Sequence, residues 1–111
     1  MVTTAVHDDY DVVITTGGTG ISPTDVTPEH TRAIIRREVP GIAEAIRLAG
    51  LGSGVPTAAL SRGIAGTAGS TLIVNLPGSP GGVKDGLAVL APLLVHAVEQ
   101  IHGGGDHGVT P

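Results

Sequence analysis

The chain has 111 residues, of which 41% are apolar and 1% aromatic, and its formal net charge at pH 7 is −4. One domain with an aliphatic core is the natural expectation for this length. The negative charge and the lack of a Lys/Arg cluster give no support to nucleic-acid binding, and the lack of cysteine excludes disulfides and thiolate metal sites. We find no apolar run long enough to cross a membrane and no signal-peptide pattern, and we expect a cytoplasmic protein.

The first part of the chain predicts the end of a helix and then a strand. Apolar residues between Val2 and Val6 fit a last helical turn. The run from Val12 to Ile14 is uncharged and β-branched, which is typical of a strand buried on both faces. The acidic cluster between Asp8 and Asp11 could bind a metal or could be a solvated connection. We favour the connection, because loops commonly carry Asp.

A glycine-rich turn follows this strand. In Gly17-Gly18-Thr19-Gly20, three glycines let the backbone adopt positive φ and approach a ligand closely. A helix is then predicted to begin with Thr27 as N-cap and Pro28 at its first position. Open α/β sheets build binding crevices in this way, at the carboxyl ends of their strands. The loop amides suit an anion, most often a phosphate.

The middle of the chain predicts two helices and a short extended segment. The first helix runs from Thr27 to Val39 with Ala33 facing inward, and the second runs from Ile42 to about Leu48. The segment from Thr57 to Leu60 has an extended pattern. The stretch from Ala65 to Ser70 is small and glycine-rich.

The last third predicts a strand, a turn and a long helix. Thr71 to Leu76 forms a second buried strand, and turn residues follow it. An apolar stripe from Val83 to Ile101 predicts a helix on the sheet, kinked or restarted at Pro92. The domain should cover residues 1–102, and we expect a disordered tail from Gly103 to Pro111. The alternation of strands and helices predicts a three-layer α/β/α sandwich with a mixed, mostly parallel sheet.

Three common site motifs are absent from the sequence. A Walker A loop needs a lysine, but Gly20 is followed by Ile21-Ser22-Pro23. The dinucleotide fingerprint needs a third glycine that opens a helix, and a nucleophile elbow needs G-x-S-x-G; neither occurs here. These residues alone indicate only an anion or nucleotide pocket.

Three ordered blocks nevertheless carry a family resemblance. They are TTGGTG-x4-DVTPE from Thr15, LSR from Leu60, and G-x2-GSTLI-x-NLPG-x-P from Gly66 to Pro80. Together they resemble the Mog/MoaB family of molybdenum-cofactor biosynthesis proteins, to which the G domains of gephyrin-like proteins are related. The resemblance covers nearly all of the chain before its tail.

The resemblance implies an enzyme, a molybdopterin adenylyltransferase. Such an enzyme uses ATP and Mg²⁺ to convert the terminal phosphate of molybdopterin to an AMP ester, with release of pyrophosphate. By resemblance, Asp25 is a catalytic carboxylate that acts through magnesium. The resemblance also implies a set of residues that bind molybdopterin and nucleotide: Thr16, Gly17, Gly18, Thr19, Gly20, Ser61, Asn75, Gly78 and Ser79.

Each side chain in this set also has a plainer interpretation. Asp25 could begin the cap of the following helix, Ser61 could be a strand-end hydroxyl, and Asn75 could be a turn former. The resemblance favours the functional interpretation of all three. We expect His30 to be exposed and His96 to be packed.

One departure from the family concerns the beginning of the chain. Family members begin with a further strand, helix and strand that carry a second essential acid, and this chain starts just before the TTGGTG strand. A late start codon, a fragment and a shortened paralogue are the open explanations, and we favour the first. The alternatives to the enzyme are a non-catalytic molybdopterin-binding or interaction fragment, and a molybdenum-insertase-type domain. The family also implies a homotrimer and contact with the insertase.

Overall fold

The computed structural model describes residues 2–104, so the predicted tail beyond Gly104 lies outside the described residues. Helices and strands follow in the order α1 (Val2–His7), β1 (Val12–Thr16), α2 (Thr27–Arg32), β2 (Arg37–Glu38), α3 (Pro40–Gly52), a 3-10 helix (Pro56–Leu60), β3 (Ala65–Ala68), β4 (Thr71–Leu76) and α4 (Pro80–Ile101). The two strands and the long last helix predicted from the sequence are present.

The described strands form one sheet in the order β1-β4-β3-β2. β1 runs parallel to β4, with Val12 opposite Leu72 and Thr16 opposite Leu76. β3 is antiparallel to both β4 and β2. The sheet is therefore mixed, as predicted, although its parallel part is smaller than expected. The reason is the tight turn after β3, in which Gly69 has a φ of +58°, since so short a connection can only join antiparallel strands.

β4 is the centre of the domain, because each of its residues is buried. On one face of the sheet, Leu72, Val74 and Leu76 pack with Ile42 and Ile46 of α3 and Leu90 of α4. On the opposite face, α2 packs over β4, where Asn75 contacts Thr31. Alternate residues of one strand thus face different helices, and the predicted three-layer α/β/α architecture is confirmed.

The first predicted helix is shorter than expected. It ends at Arg32 instead of Val39, because the following segment pairs with β3 through bonds such as Arg36 N–H to the Thr67 carbonyl at 2.8 Å. Its buried residues are Pro28 and Thr31, and Ala33 is exposed. Pro28 lies at the helix start as predicted, but Thr27 is not the cap: the N-cap is Val26, which makes no side-chain cap bond.

Two further predictions are wrong in detail. The segment Pro56–Leu60 is a 3-10 helix instead of an extended strand, with bonds such as Ser61 N–H to the Ala58 carbonyl at 3.2 Å. His96 is exposed, not packed, and contacts Gln100 on the next helical turn. Pro92 lies inside α4, which continues past it, so the helix does not restart there and the kink stays a prediction.

α4 is also long and apolar enough to cross a membrane by length and composition alone, which corrects the expectation from sequence. One such helix is weak evidence of a membrane span, because a helix that covers a sheet passes the same test. Leu90 is fully buried, and Val83, Leu94 and Ile101 pack on the core. Ser79 caps the helix by accepting a bond from Gly82 N–H at 3.1 Å. α4 is therefore a layer of this domain.

Two glycines of α4 give a matched test of this packing. A methyl group at Gly86 would lie 2.6 Å from Leu76 Cδ2, whereas a methyl group at Gly81 has nothing within 4 Å. We expect Gly86→Ala to lower the free energy of unfolding by about 1–3 kcal/mol through overpacking. We expect Gly81→Ala not to lower it, because alanine favours a helix. Urea unfolding measures both, and equal effects of the two substitutions would contradict this packing.

Candidate functional site

A cavity of about 440 Å³ lies where β1 and β4 end. The two strands are parallel, so their carboxyl ends meet at the same edge of the sheet. Gly17 N–H donates to the Leu76 carbonyl at 3.0 Å, which continues the pairing into the turns that follow. The glycine loop after β1 and the turn at residues 77–79 after β4 therefore form one site.

The glycine loop needs glycine at defined positions. Gly17 and Gly18 have φ values of +85° and +69°, in the left-handed region that L side chains rarely adopt. A side chain at Gly18 would also overlap the Thr27 hydroxyl, and one at Gly78 would lie 3.1 Å from Gly17 Cα. The two turns thus approach each other backbone to backbone, which leaves peptide groups at the cavity wall.

Most of the residues predicted to form the site line this cavity. They are Gly17, Gly18, Thr19, Gly20, Asp25, Ser61, Gly78 and Ser79. The structure does not bring Thr16 and Asn75 to the same wall. Thr16 is the last residue of β1, and Asn75 lies within β4.

Asn75 is a structural link beneath the site. It is 3% exposed. Its carboxamide oxygen accepts from Ile64 N–H at 3.1 Å, and its nitrogen donates to the hydroxyls of Thr15 at 2.9 Å and Thr31 at 3.0 Å. Its oxygen and both its N–H donors are bonded to the protein, so Asn75 supports the site and does not line the pocket.

The Asp25 carboxylate lies across the glycine loop. Its Oδ2 accepts from Ser22 N–H at 3.0 Å, and a methyl group at Gly20 would come within 2.8 Å of the same oxygen. The side chain therefore closes the Ser22–Asp25 turn and does not cap α2. This position leaves the carboxylate at the cavity wall.

Ser61 and its neighbours are tied to the loop by hydrogen bonds. The Ser61 hydroxyl donates to the Thr19 hydroxyl at 3.3 Å. Arg47 from α3 donates to the carbonyls of Ser61 at 3.2 Å and Gly63 at 2.9 Å. Ser61 is thus bonded to the glycine loop through its side chain and to α3 through its carbonyl.

Sequence reasoning missed part of the cavity wall. Arg47 and Asp85 line it, as does an apolar group made of Ile21, Ile46, Val55, Ala58 and Leu60. Asp85 lies near the start of α4, just beyond the second turn, and this position was the available signal. No sequence pattern placed Arg47 or Ile46 at a cavity. The apolar spacing of α3 indicates which residues pack inward but not which of them face a pocket.

Arg62 holds the glycine loop although it does not itself line the cavity. Its guanidinium donates to the carbonyls of Gly20 at 2.7 Å and Asp25 at 2.6 Å and to the Glu29 carboxylate at 2.6 Å. The hydrogen bond from Arg62 lowers the pKa of Glu29 below its ordinary 4.5. The same bond raises the pKa of Arg62. Both groups are therefore ionised at neutral pH.

The donor set suits a cation that arrives with phosphates. Residues 2–104 contain no cluster of three or more His, Asp or Glu side chains that could hold a metal ion alone. Asp25 and Asp85 line the cavity, and Mg²⁺ is usually held by one or two carboxylates together with substrate phosphates. The residues present fit that mode of binding.

The fold and the site by themselves define a class of protein. It is an α/β domain with a strand-end pocket made of glycine-loop amides and carboxylates. A family model described as a probable molybdopterin binding domain matches residues 1–96. The chain belongs to this family, and the resemblance to Mog and MoaB proteins is confirmed.

Individual relatives agree with this membership. The chain is 47% identical over 95 residues to the molybdenum cofactor synthesis protein cinnamon of Drosophila melanogaster. The aligned region covers 86% of this chain and 16% of the fly protein. It is 42% identical over 98 residues to a molybdopterin adenylyltransferase of Helicobacter pylori, over 86% of this chain and 55% of that protein. The structure of the molybdopterin biosynthesis Mog protein from Mycobacterium ulcerans matches with a TM-score of 0.90 and 61% identity, over 92% of this chain and 66% of that one.

The buried Asn75 carboxamide generates a stability prediction. Asn75→Leu leaves Ile64 N–H without an acceptor and removes the link between two threonine hydroxyls. We expect the free energy of unfolding to fall by about 2–4 kcal/mol, as measured by urea unfolding. Thr3→Ala, on the exposed helix α1, should be near neutral. A loss for Asn75→Leu no larger than for this control would contradict the role of Asn75.

The Glu29–Arg62 pair generates a pH prediction. Because the pKa of Glu29 is lowered in the folded state, its contribution to stability is present above 4.5 and is lost as pH falls through the lower folded value. We expect Glu29→Gln to be less stable than wild type at neutral pH and the two stability curves to converge in acid. The difference should be small and salt-sensitive, since the pair is exposed. Glu44→Gln, at an exposed position of α3, is the control; a gap that widens in acid would argue against the pair.

Proposed function

We propose that the protein acts in molybdenum cofactor biosynthesis by binding molybdopterin and transferring an adenylyl group to it from ATP. The observation that carries the proposal is the meeting of two strand-end turns at one cavity, with the glycine loop and Asp25 on the same wall. The family and its adenylyltransferase member support the proposal. The chain spans 55% of the length of that adenylyltransferase. The transferase activity is therefore a proposal for this chain.

The transfer requires positioning and charge neutralisation more than covalent participation by the protein. An oxygen of the molybdopterin phosphate attacks the α-phosphorus of ATP, a new P–O bond forms, and the bond to the β-phosphate oxygen breaks as pyrophosphate leaves. Backbone amides of Gly18, Thr19 and Gly20 would bind phosphate oxygens and hold the reacting groups in line. Such donors cost no reorganisation during the reaction, because the loop is already formed.

Charged side chains complete the proposed site. Arg47 lines the cavity and would offset part of the negative charge of the phosphates. Asp25 and Asp85 would hold Mg²⁺, which when bound neutralises charge on ATP and pyrophosphate. The apolar wall formed by residues such as Ile46 and Leu60 suits a flat ring of the pterin or the adenine.

Assembly and location belong to the same proposal. A homotrimer, contact with the molybdenum-insertase protein and a cytoplasmic location follow from the family resemblance. A second candidate function is molybdopterin binding without transfer. The observation in its favour is that the matching family model is described by binding of molybdopterin alone.

The test is adenylyl transfer by the 111-residue chain with ATP, Mg²⁺ and molybdopterin, beside Asp25→Asn and the exposed control Asp8→Asn. Asn retains an oxygen for Ser22 N–H but removes the negative charge, so the loop should persist. We expect Asp25→Asn to reduce kcat/KM by about 100-fold or more, while Asp8→Asn stays near wild type. Equal rates for Asp25→Asn and wild type would refute the role of Asp25. Binding of molybdopterin without transfer would favour the second candidate function.

A further inference from the structure

Arg62 contacts the glycine loop through both its backbone and its side chain. Its N–H donates to the Thr19 carbonyl at 2.7 Å. Its guanidinium donates to the carbonyls of Gly20 at 2.7 Å and Asp25 at 2.6 Å. One residue therefore fixes three carbonyls, two in the glycine loop and one at the aspartate that closes the next turn.

Because the peptide bond is planar, these contacts also determine the direction of the N–H group that follows each bound carbonyl. In a trans peptide, the N–H of a residue points opposite to the carbonyl of the residue before it. The carbonyls of Thr19 and Gly20 point at Arg62, so the N–H groups of Gly20 and Ile21 point away from it. Thr19, Gly20 and Ile21 line the cavity, and Arg62 is not among its lining residues. The contacts of Arg62 thus turn these N–H groups toward the cavity side of the loop.

Glu29 holds the guanidinium in this position. Its two carboxylate oxygens accept from Arg62 Nη1 at 2.6 Å and from Nη2 at 3.4 Å. Glu29 lies in the first turn of α2, directly after the loop. The fork of the guanidinium is thereby shared among the carbonyls of Gly20 and Asp25 and one carboxylate, an arrangement that a single ammonium cannot reproduce.

We propose that Arg62 is a positioning residue of this site: held by Glu29, it sets the N–H groups of Gly20 and Ile21 and the backbone of Asp25 for binding phosphate groups. This rests on the proposed function for the identity of the substrate, but the binding of phosphate tests it separately. Arg62 does not touch the substrate. Its effect should appear in phosphate affinity and in turnover, beyond any loss of stability.

The experiment compares wild type with Arg62→Lys, Glu29→Gln and the double variant, and with the control Arg36→Lys at an exposed arginine away from the cavity. Isothermal titration calorimetry measures inorganic pyrophosphate binding well below each thermal unfolding midpoint. Adenylyl transfer gives kcat and KM for ATP in parallel. If Arg62→Lys fails to fold, Glu29→Gln carries the test, because it leaves the bonds of Arg62 to the loop available.

We expect Arg62→Lys to raise the pyrophosphate Kd about tenfold, the effect of losing a net charge-assisted hydrogen bond, and to lower kcat. We expect Glu29→Gln to act about threefold in the same direction. The double variant should be no worse than Arg62→Lys, because Glu29 acts through Arg62. Arg36→Lys should match wild type.

The following outcomes would overturn the proposal. One is a lowered unfolding midpoint for Arg62→Lys with an unchanged Kd, which marks a purely structural residue. Another is a wild-type chain that does not bind pyrophosphate. Wild-type binding that depends on Arg62 without any adenylyl transfer would support the proposal and count against the proposed function alone.

Discussion

The hydrogen bonds of the Asn75 carboxamide are the constraint on which the site depends. Asn75 is buried in β4, and its partners belong to β1, to α2 and to the segment that enters β3. A buried amide with unmet bonds would be costly; among the described residues, no buried side-chain polar atom lacks a partner. The link therefore fixes the relative position of the two parallel strands close to their carboxyl ends. The glycine loop and the turn after β4 begin from that fixed edge.

The two turns built on this edge approach each other through their backbones. Gly17 and Gly18 adopt left-handed conformations, and Gly78 approaches Gly17 without a side chain between them. Such a wall can present N–H groups to an anion only if the backbone keeps its shape. Arginines supply that restraint from outside the loop: Arg62 binds carbonyls of the loop, and Arg47 binds carbonyls of the segment that carries Ser61. Two arginines thus hold the backbone at this end of the sheet.

The sequence was informative where structure is determined locally. β1, β4 and α4 could be predicted from apolar runs and periodicity, and the glycine loop from its composition. β2 and β3 were missed because their pairing depends on residues distant in the chain, and that pairing ended α2 early. Asn75 was placed in the pocket from a motif, but its partners lie 60 and 44 positions away, at Thr15 and Thr31. Arg47 and Asp85 were missed because the face that a helix turns to a cavity is decided by packing, not by residue type.

The most direct test of this account is a crystal structure of the chain grown with ATP, Mg²⁺ and molybdopterin. We expect phosphate oxygens within hydrogen-bond distance of backbone amides after β1, including those of Gly20 and Ile21, with Arg62 still bound to the carbonyls of Gly20 and Asp25. Phosphates bound elsewhere would contradict it, for example in the groove beside Arg36 and Arg37 at the other end of the sheet. A glycine loop rearranged so that Arg62 no longer contacts it would contradict it as well.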